Sequence, residues 1–294
     1  MAKYRIAGQE FQFPCPVLEL TPFEIESADG ANRASLSETS SAPASDFPQA
    51  VPPSLTLLSR TDGLVGGSNR QVETWSAPPG YLLKVAGGSD FYIAPQGQFI
   101  RRVVADSTDS PWPKLDREIL VGPVLVLALA LRGIWSLHAS AVTCNGRTIL
   151  FLGESGQGKS TLAAHLAPSM QLAADDILPV TLTDFKLTCW PHFPQLKLPL
   201  NAQHGLAQPE SLPVRHICLL DAAEEISFHP LFSSEATQTL LRHTAGTRLF
   251  PPDLLSKHLV FCAQAAGKIQ LSRLAYPRRM DALPGVKALL ETLC

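Results

Sequence analysis

The residues with the clearest chemical signature form a glycine-rich segment in the middle of the chain. The segment fits the pattern G-x-x-x-x-G-K-[ST], which is typical of phosphate-binding loops, and the fixed positions are Gly153, Gly158, Lys159 and Ser160. An apolar, β-branched run precedes the pattern and helix formers follow it, so a strand and a helix should flank the loop. The glycines let successive backbone N–H groups converge on an anion at the positive end of the helix dipole. Residues 148–166 therefore predict a phosphate-binding site, with a plain glycine-rich turn as the alternative.

Two side chains of this segment have chemistry that a bound nucleotide would use. Lys159 would reach the β- and γ-phosphates, and the Ser160 hydroxyl would ligate the magnesium ion that accompanies the nucleotide. The expected cofactors are therefore a nucleotide and Mg²⁺. The residues expected to bind them are Gly153, Glu154, Ser155, Gly156, Gln157, Gly158, Lys159, Ser160 and Thr161.

Two adjacent carboxylates follow the loop at a short distance along the chain. Asp175 and Asp176 lie 16 and 17 residues after Lys159, in the segment QLAADDILPV, which is predicted to be a strand. Neighbouring strand residues point to opposite faces, so a regular strand would aim only one of the two acids at the phosphates. One carboxylate could hold magnesium while the other takes a proton from an attacking hydroxyl. A solvated acidic strand end is the alternative.

A predicted hairpin before the loop supplies a further candidate. The segment LHASAVTCNGRTILFLG reads as two strands joined at Asn145-Gly146, a dipeptide that tolerates the positive φ angles of a tight turn. Pairing of the two strands would hold His138 and Ser140 beside the loop. A lone histidine on a strand is more often structural, and the position of His138 is what favours a role in the site.

An arginine in the carboxy-terminal third is the last candidate. Arg242 lies with His243 and Arg248 in LLRHTAGTRL, after a helical run at residues 234–241. An arginine there could neutralise charge in a phosphoryl-transfer transition state. The alternative is that these charges complement the dipole at a helix end.

The region before these residues is predicted to be mostly β structure. A turn at Gly8 separates two short strands, and further strands are expected at residues 81–85, 91–94 and 99–104. Residues 28–55 are rich in Ser, Ala and Pro and poor in large apolar groups, so they predict a mobile loop.

The second region is predicted to be a separate α/β domain. Composition changes near residue 110, which divides the chain into a β-rich region (1–110) and a domain that carries the loop (111–294). The apolar run at residues 119–131 is too short to span a bilayer and predicts a buried helix, capped or kinked at Pro123. Further along, a strand is expected at 214–220, another strand within AGKIQLSRLAYPRRM, and a final helix at 283–293.

Composition excludes several classes of partner. A formal net charge of −2 predicts no nucleic-acid or membrane partner, and assembly into a homo-oligomer stays open. The six cysteines are far apart and form no C-x-x-C pair, so neither a zinc site nor a disulfide framework is expected and reduced thiols are the default. The amino terminus lacks the layout of a secretory signal, which points to the cytoplasm.

Three segments in this order and spacing, LHASAV, GESGQGKST and AADDILPV, resemble the catalytic domain of the HPr kinase/phosphorylase family. The likeness is to its short, divergent relatives, which include serine kinases of lasso-peptide precursors, and it covers roughly residues 119–200. It implies a phosphoenolpyruvate-carboxykinase-like P-loop fold, ATP as donor and a serine hydroxyl as acceptor. By this likeness Asp175 matches the catalytic base, Asp176 a metal-side acid and His138 the histidine that supports them. No counterpart of the E-I-R-G-L-G stretch occurs, which argues against phosphorylase activity and against HPr as substrate.

Three hypotheses follow for function. The first is an ATP-dependent kinase that phosphorylates a serine of a peptide or small protein. The second is a kinase of a small hydroxylated metabolite, which would differ in its acceptor site. The third is a nucleotide-binding module without catalysis, since a phosphate loop can bind without turnover; the presence of both acids argues against it.

Overall fold

The computed structural model describes residues 2–13, 16–25, 54–103, 112–184, 186–194 and 211–294. The predicted loop at residues 28–55 lies outside these ranges except for its last two residues. Within them the chain is a mixed α/β protein.

Two antiparallel sheets make up the described amino-terminal region. The smaller is a hairpin of β1 (Ala2–Ile6) and β2 (Gln9–Phe13), whose turn holds Gly8 at a φ of 71°. The larger has five strands that pair in chain order: β3 (Thr56–Val65), β4 (Ser68–Ala77), β5 (Gly80–Val85), β6 (Asp90–Ile93) and β7 (Ile100–Val103). The last three confirm the predicted strands to within one residue. Strand β3 is not predicted from the sequence, because its polar residues and Gly63 interrupt the alternation of apolar and polar residues that is typical of a strand.

The predicted buried helix is present but interrupted. It consists of α1 (Lys114–Ile119), a π-helical turn (Leu120–Val124) and α2 (Leu125–Leu131). The break lies at Gly122, which has non-helical φ and ψ angles, directly before Pro123. A proline inside a helix lacks the N–H that would continue the hydrogen-bond ladder, which explains a kink at this point. Within the described ranges, no helix is both long enough and apolar enough to cross a membrane.

A mixed seven-stranded sheet carries the glycine-rich loop. Its strands are β8 (Trp135–Cys144), β9 (Arg147–Leu152), β10 (Gln171–Thr183), β11 (Lys186–Cys189), β12 (Leu212–Ala222), β13 (Ser227–Pro230) and β14 (Leu271–Tyr276). They lie in the order β11-β10-β8-β9-β12-β14-β13, and β9, β12 and β14 are parallel to one another. β11 also pairs with the start of β12, so the sheet curls back on itself. The predicted hairpin turn joins β8 to β9, with Asn145 and Gly146 both at positive φ.

Helices cover both faces of this sheet: α3 (Lys159–Leu166), α4 (Ser233–His243), α5 (Pro252–Ala266) and α6 (Leu283–Glu291). Alternate residues of β9 point into two separate cores, because successive strand side chains face opposite sides. Phe151 packs in the core under α3 and α6, whereas Leu152 lies in a larger core that also contains Tyr4 and Phe13. The amino-terminal strands and the sheet therefore share one hydrophobic core. Helix α5 is not predicted by the sequence analysis, while α4, α6, β12 and β14 confirm predicted elements.

The expectation of reduced thiols throughout is wrong for one pair of cysteines. Cys144, at the end of β8, forms a disulfide with Cys294, and their Cα atoms are 5.7 Å apart. The two residues are 150 positions apart in sequence, and they meet because α6 packs against α3 beside the β8–β9 hairpin. Spacing along the chain cannot reveal such a pair. Cys189, Cys218 and Cys262 are free and buried.

Candidate functional site

The glycine-rich loop connects β9 to the amino terminus of α3. Gly158 is followed at once by Lys159, the first residue of this eight-residue helix. Gly156 and Gly158 have φ values of 82° and 81°, a conformation that residues with a Cβ rarely adopt. A Cβ at Gly156 would have no atom within 4 Å, so this part of the loop faces open space. The loop has the strand, turn and helix that a phosphate-binding motif requires.

Lys159 lies folded into the loop. Its side chain is buried, and its Nζ donates hydrogen bonds to the carbonyl oxygens of Gly153 at 2.7 Å and Glu154 at 3.1 Å. The loop backbone therefore surrounds the Lys159 ammonium group. Ser160 and Thr161 occupy the first turn of α3, and both are exposed.

An arginine that the sequence analysis does not assign to the site holds the loop from outside. Nη1 of Arg278 donates hydrogen bonds to the carbonyl oxygen of Gln157 and, at 2.8 Å, to the hydroxyl of Tyr276. The guanidinium group also lies 4.5 Å from the centre of the Tyr276 ring. In the sequence, Arg278 belongs to a basic pair 121 residues after Gln157. Only the position of β14 in the sheet brings it to the loop, so no sequence signal could have identified it.

The two adjacent carboxylates have different partners on β8. Asp175 lies opposite Ser140 in the pairing of β8 with β10, and Ser140 Oγ donates a 2.7 Å hydrogen bond to Asp175 Oδ1. Oδ1 of Asp176 lies 3.5 Å from Nδ1 of His138, with exposed side-chain fractions of 13% and 36%. β8 lies between β10 and the loop strand β9. The structure therefore brings Asp176 and His138 together, and it holds Asp175 against Ser140 on the strand that separates β10 from the loop strand.

Two cavities meet at the loop. The larger, of about 700 Å³, is lined by Ser155 of the loop together with His138, Asp176 and Arg242. The smaller, of about 310 Å³, is lined by Glu154 and Gln157 of the loop, and again by Arg242. Arg242 is exposed and contributes to both cavities. Asp175 is not among the residues that line either of these two cavities.

His243 follows Arg242 and lies buried beside the loop. Burial lowers the pKa of His243 because the charged form loses its hydration. Glu154 opposes this effect, whereas the positive charges of Lys159 and Arg242 add to it. The imidazole ring of His243 is therefore neutral, next to the positively charged side chains of Lys159 and Arg242.

The smaller cavity contains an ion-pair network that the sequence analysis also missed. Arg273 donates hydrogen bonds to Asp221 at 2.7 Å and to Glu235 at 2.5 Å. The backbone N–H of Ala222, together with Arg273, lowers the pKa of Asp221. Asp221 lies near the end of β12, the parallel neighbour of β9. An apolar run that ends in an acid, ICLLD, is a signal that could have placed it near the loop.

Two side chains at the start of α3 and on β10 carry oxygen atoms of the type that magnesium prefers. In the part of the chain that the structure describes, no group of three or more His, Cys, Asp or Glu side chains is arranged to hold a metal ion. Mg²⁺ is usually bound through one or two carboxylates plus substrate phosphates and waters. Ser160 carries a hydroxyl oxygen and Asp176 a carboxylate that could serve as such ligands.

Comparison with known proteins gives two partial likenesses. A family model described as SynChlorMet cassette protein ScmC matches residues 107–249, just under half of the chain. The chain is also similar to the solved structure of the Hpr(Ser) kinase/phosphatase from Coxiella burnetii. That similarity has 16% sequence identity and a TM-score of 0.30, and it covers 54% of this chain and 92% of the other. Among curated proteins, none matches this sequence.

Proposed function

We propose that this chain is an ATP-dependent kinase that transfers the γ-phosphoryl group to a serine hydroxyl of a peptide or small protein. The observation that carries the proposal is that Asp176 and His138 line the same cavity as Ser155 of the glycine-rich loop, with Asp175 adjacent to Asp176 on β10. Phosphoryl transfer requires positioning and charge stabilisation more than covalent chemistry. In the proposed site, the loop positions the donor phosphates and a base accepts the proton of the hydroxyl. A cation stabilises the charge on the phosphoryl group.

The donor phosphates would bind at the loop backbone and the start of α3. Lys159 donates to two loop carbonyls, and in this role it exchanges them for phosphate oxygens. The Ser160 hydroxyl and Asp176 are the proposed magnesium ligands, and the ion supplies charge neutralisation between the phosphates when it is bound. Residues 153–161 thus form the donor side of the site.

The acceptor side consists of the remaining polar groups. Asp175 is the proposed base that takes the proton from the serine hydroxyl as its oxygen attacks the γ-phosphorus atom. Its hydrogen bond from Ser140 fixes the orientation of the carboxylate. His138 orients Asp176 through their 3.5 Å contact. Arg242 is placed between the cavities, where a guanidinium group would stabilise charge on the transferred phosphoryl group.

Transfer of label from γ-labelled ATP to an acceptor peptide tests the proposal. Because the matched family is described as a cassette protein, a peptide encoded beside this chain is the first acceptor to use. Asp175→Asn should lower the transfer rate by about a hundred- to ten-thousandfold, the usual size of a lost general base. Asp184→Asn is the matched control, because Asp184 lies exposed in the turn after β10 at a φ of 48°, which asparagine tolerates.

Three results would contradict the proposal. Transfer that Asp175→Asn leaves at the rate of the Asp184→Asn control would exclude Asp175 as the base. Binding of ATP with no transfer to any peptide, metabolite or water would favour the non-catalytic module. Phosphorylation of a small hydroxylated metabolite instead of any peptide would favour the second class of kinase.

A further inference from the structure

Strand β3 is an edge strand whose open side runs along the larger cavity. Among the described strands it pairs with β4 alone. Five consecutive residues, 61–65, line the cavity. Alternate strand residues point to opposite faces, so a strand that turned one face to the cavity would contribute every second residue. Val72 of β4, the partner of Thr61, lines the cavity as well, so the cavity covers one face of the hairpin. The unbroken run indicates that it also extends around the backbone edge of β3.

The register of the hairpin identifies the backbone groups that point towards this edge, of which the Asp62 carbonyl oxygen accepts a 3.3 Å hydrogen bond from the Thr61 hydroxyl. β3 and β4 are joined by Gly66-Gly67, with φ values of 63° and 72°, which fit a two-residue type I′ turn. The closing pair, Val65 and Ser68, is a hydrogen-bonded pair in such a hairpin, and bonded and non-bonded pairs alternate beyond it. The N–H and C=O groups of Leu64 and Asp62 therefore point away from β4, towards the open edge.

The rest of the cavity forms a groove that connects this edge to the reacting groups. Residues 244–249 line it across from the loop, and an apolar part is supplied by Val121 and Val126. Gly122 lines the groove as well, and a Cβ there would meet no atom within 4 Å. His138 and Asp176 lie in the same cavity. A chain that paired with β3 would thus run through a space that also contains His138 and Asp176, and the proposed base, Asp175, is the neighbour of Asp176 on β10.

We propose that the phosphoryl acceptor is an extended peptide segment that pairs as an added strand with the open edge of β3 and presents its serine to the acids. Strand addition recognises the main chain through regularly spaced hydrogen bonds, and alternate side chains occupy pockets. Such spacing fits a polypeptide and does not fit a small metabolite. Leu64, which is 79% exposed, is an apolar side chain that the added strand would cover. The inference rests on the proposed function and narrows its acceptor class.

A pair of variants at Asp62 tests the inference. Asp62→Pro removes one edge N–H without removing a bond to β4, and proline is tolerated on edge strands. Asp62→Ala removes the same side chain but keeps the N–H. The probe is a library of peptides that each carry one central serine in random surroundings, with γ-labelled ATP. The KM for the library should be about three- to tenfold higher in Asp62→Pro than in Asp62→Ala, the size of one lost hydrogen bond, with the KM for ATP equal.

A second measurement does not depend on the folding of either variant. The best peptide from the library is methylated at one backbone nitrogen at a time and assayed with the unaltered chain. Strand pairing predicts that methylation weakens transfer at every second residue, because only alternate N–H groups face β3. If Asp62→Pro loses its native circular dichroism spectrum, this scan decides the question alone.

The outcomes separate the inference from the proposed function. Transfer that requires Asp175, with equal KM values in the two Asp62 variants and no alternation in the methylation scan, would overturn strand addition and leave the kinase standing. Failure of the unaltered chain to transfer label to any peptide in an Asp175-dependent manner would overturn both.

Discussion

The Ser140 hydroxyl donates a 2.7 Å hydrogen bond to Asp175 across the pairing of β8 with β10. Ser140 is buried and its other neighbour in the sheet is Phe151 of the loop strand. The contact therefore links the proposed base to the strand that delivers the chain into the phosphate loop. A shift of β10 relative to β8 would move the carboxylate away from the donor phosphates.

A double-mutant cycle on this pair tests the link. Ser140→Ala should lower the turnover number by about three- to tenfold, because the carboxylate loses one orienting hydrogen bond. In the Asp175→Asn background the same substitution should change the residual rate far less, since there is no longer a base to orient. Additive effects in the double variant, measured as initial rates at saturating ATP, would show that Ser140 acts independently of Asp175.

Arg278 should be needed for nucleotide binding, and its neighbour provides the control. Arg278 contacts the loop carbonyl of Gln157, whereas Arg279 is 69% exposed and pairs with Asp281. Arg278→Ala should weaken binding of a fluorescent ATP analogue by about ten- to 150-fold, the range for hydrogen bonds that involve a charged group. Arg279→Ala should leave the affinity within about a factor of two. Equal affinities in the two variants would mean that the loop holds its shape without Arg278.

Two buried histidines should make the protein less stable in mild acid. Burial lowers the pKa of His216 and of His258 from 6.5 to about 4. The folded state therefore keeps both rings neutral while the unfolded chain takes up protons. Their contribution is complete above pH 6.5 and is lost as the pH falls from 6.5 to about 4, by roughly 3 kcal/mol for each ring.

Urea unfolding measured across this pH range checks the expectation. His216→Asn should flatten the pH dependence of the free energy of unfolding, because one of the buried histidines with a lowered pKa is removed. The exposed His229 on β13 is the control, and His229→Asn should leave the slope unchanged. A slope that is the same in all three proteins would show that other groups cause the loss of stability.

The disulfide between Cys144 and Cys294 should stabilise the fold measurably. It closes a loop of 150 residues, and cross-links typically contribute about 2–4 kcal/mol by restricting the unfolded chain. Cys294→Ser should lower the free energy of unfolding by that amount, and reductant should do the same to the unaltered protein but not to the variant. If iodoacetamide labelled both Cys144 and Cys294 in the native protein, the disulfide would be absent.

The parts of the site that sequence could predict are those held together by local chemistry. The loop from Gly153 to Ser160 has a fixed spacing because consecutive backbone groups must surround one phosphate. Asn145-Gly146 marks a hairpin turn because few dipeptides tolerate two positive φ angles. The hairpin in turn brings His138 and Ser140 next to the loop, since the partner of a hairpin strand follows from its turn.

The parts that sequence could not predict depend on contacts between distant segments. Arg278 reaches the loop because β14 is aligned next to β12, and Cys294 meets Cys144 because α6 packs against α3. Residues 61–65 of β3 line the larger cavity because the five-stranded sheet shares a core with the rest of the chain. By itself the sequence determined the glycine-rich loop, its flanking elements and the adjacent acids, since these follow from local backbone and side-chain chemistry. Only the tertiary structure decided what surrounds them, because strand order and helix placement come from burial of apolar surface, which has no fixed spacing along the chain.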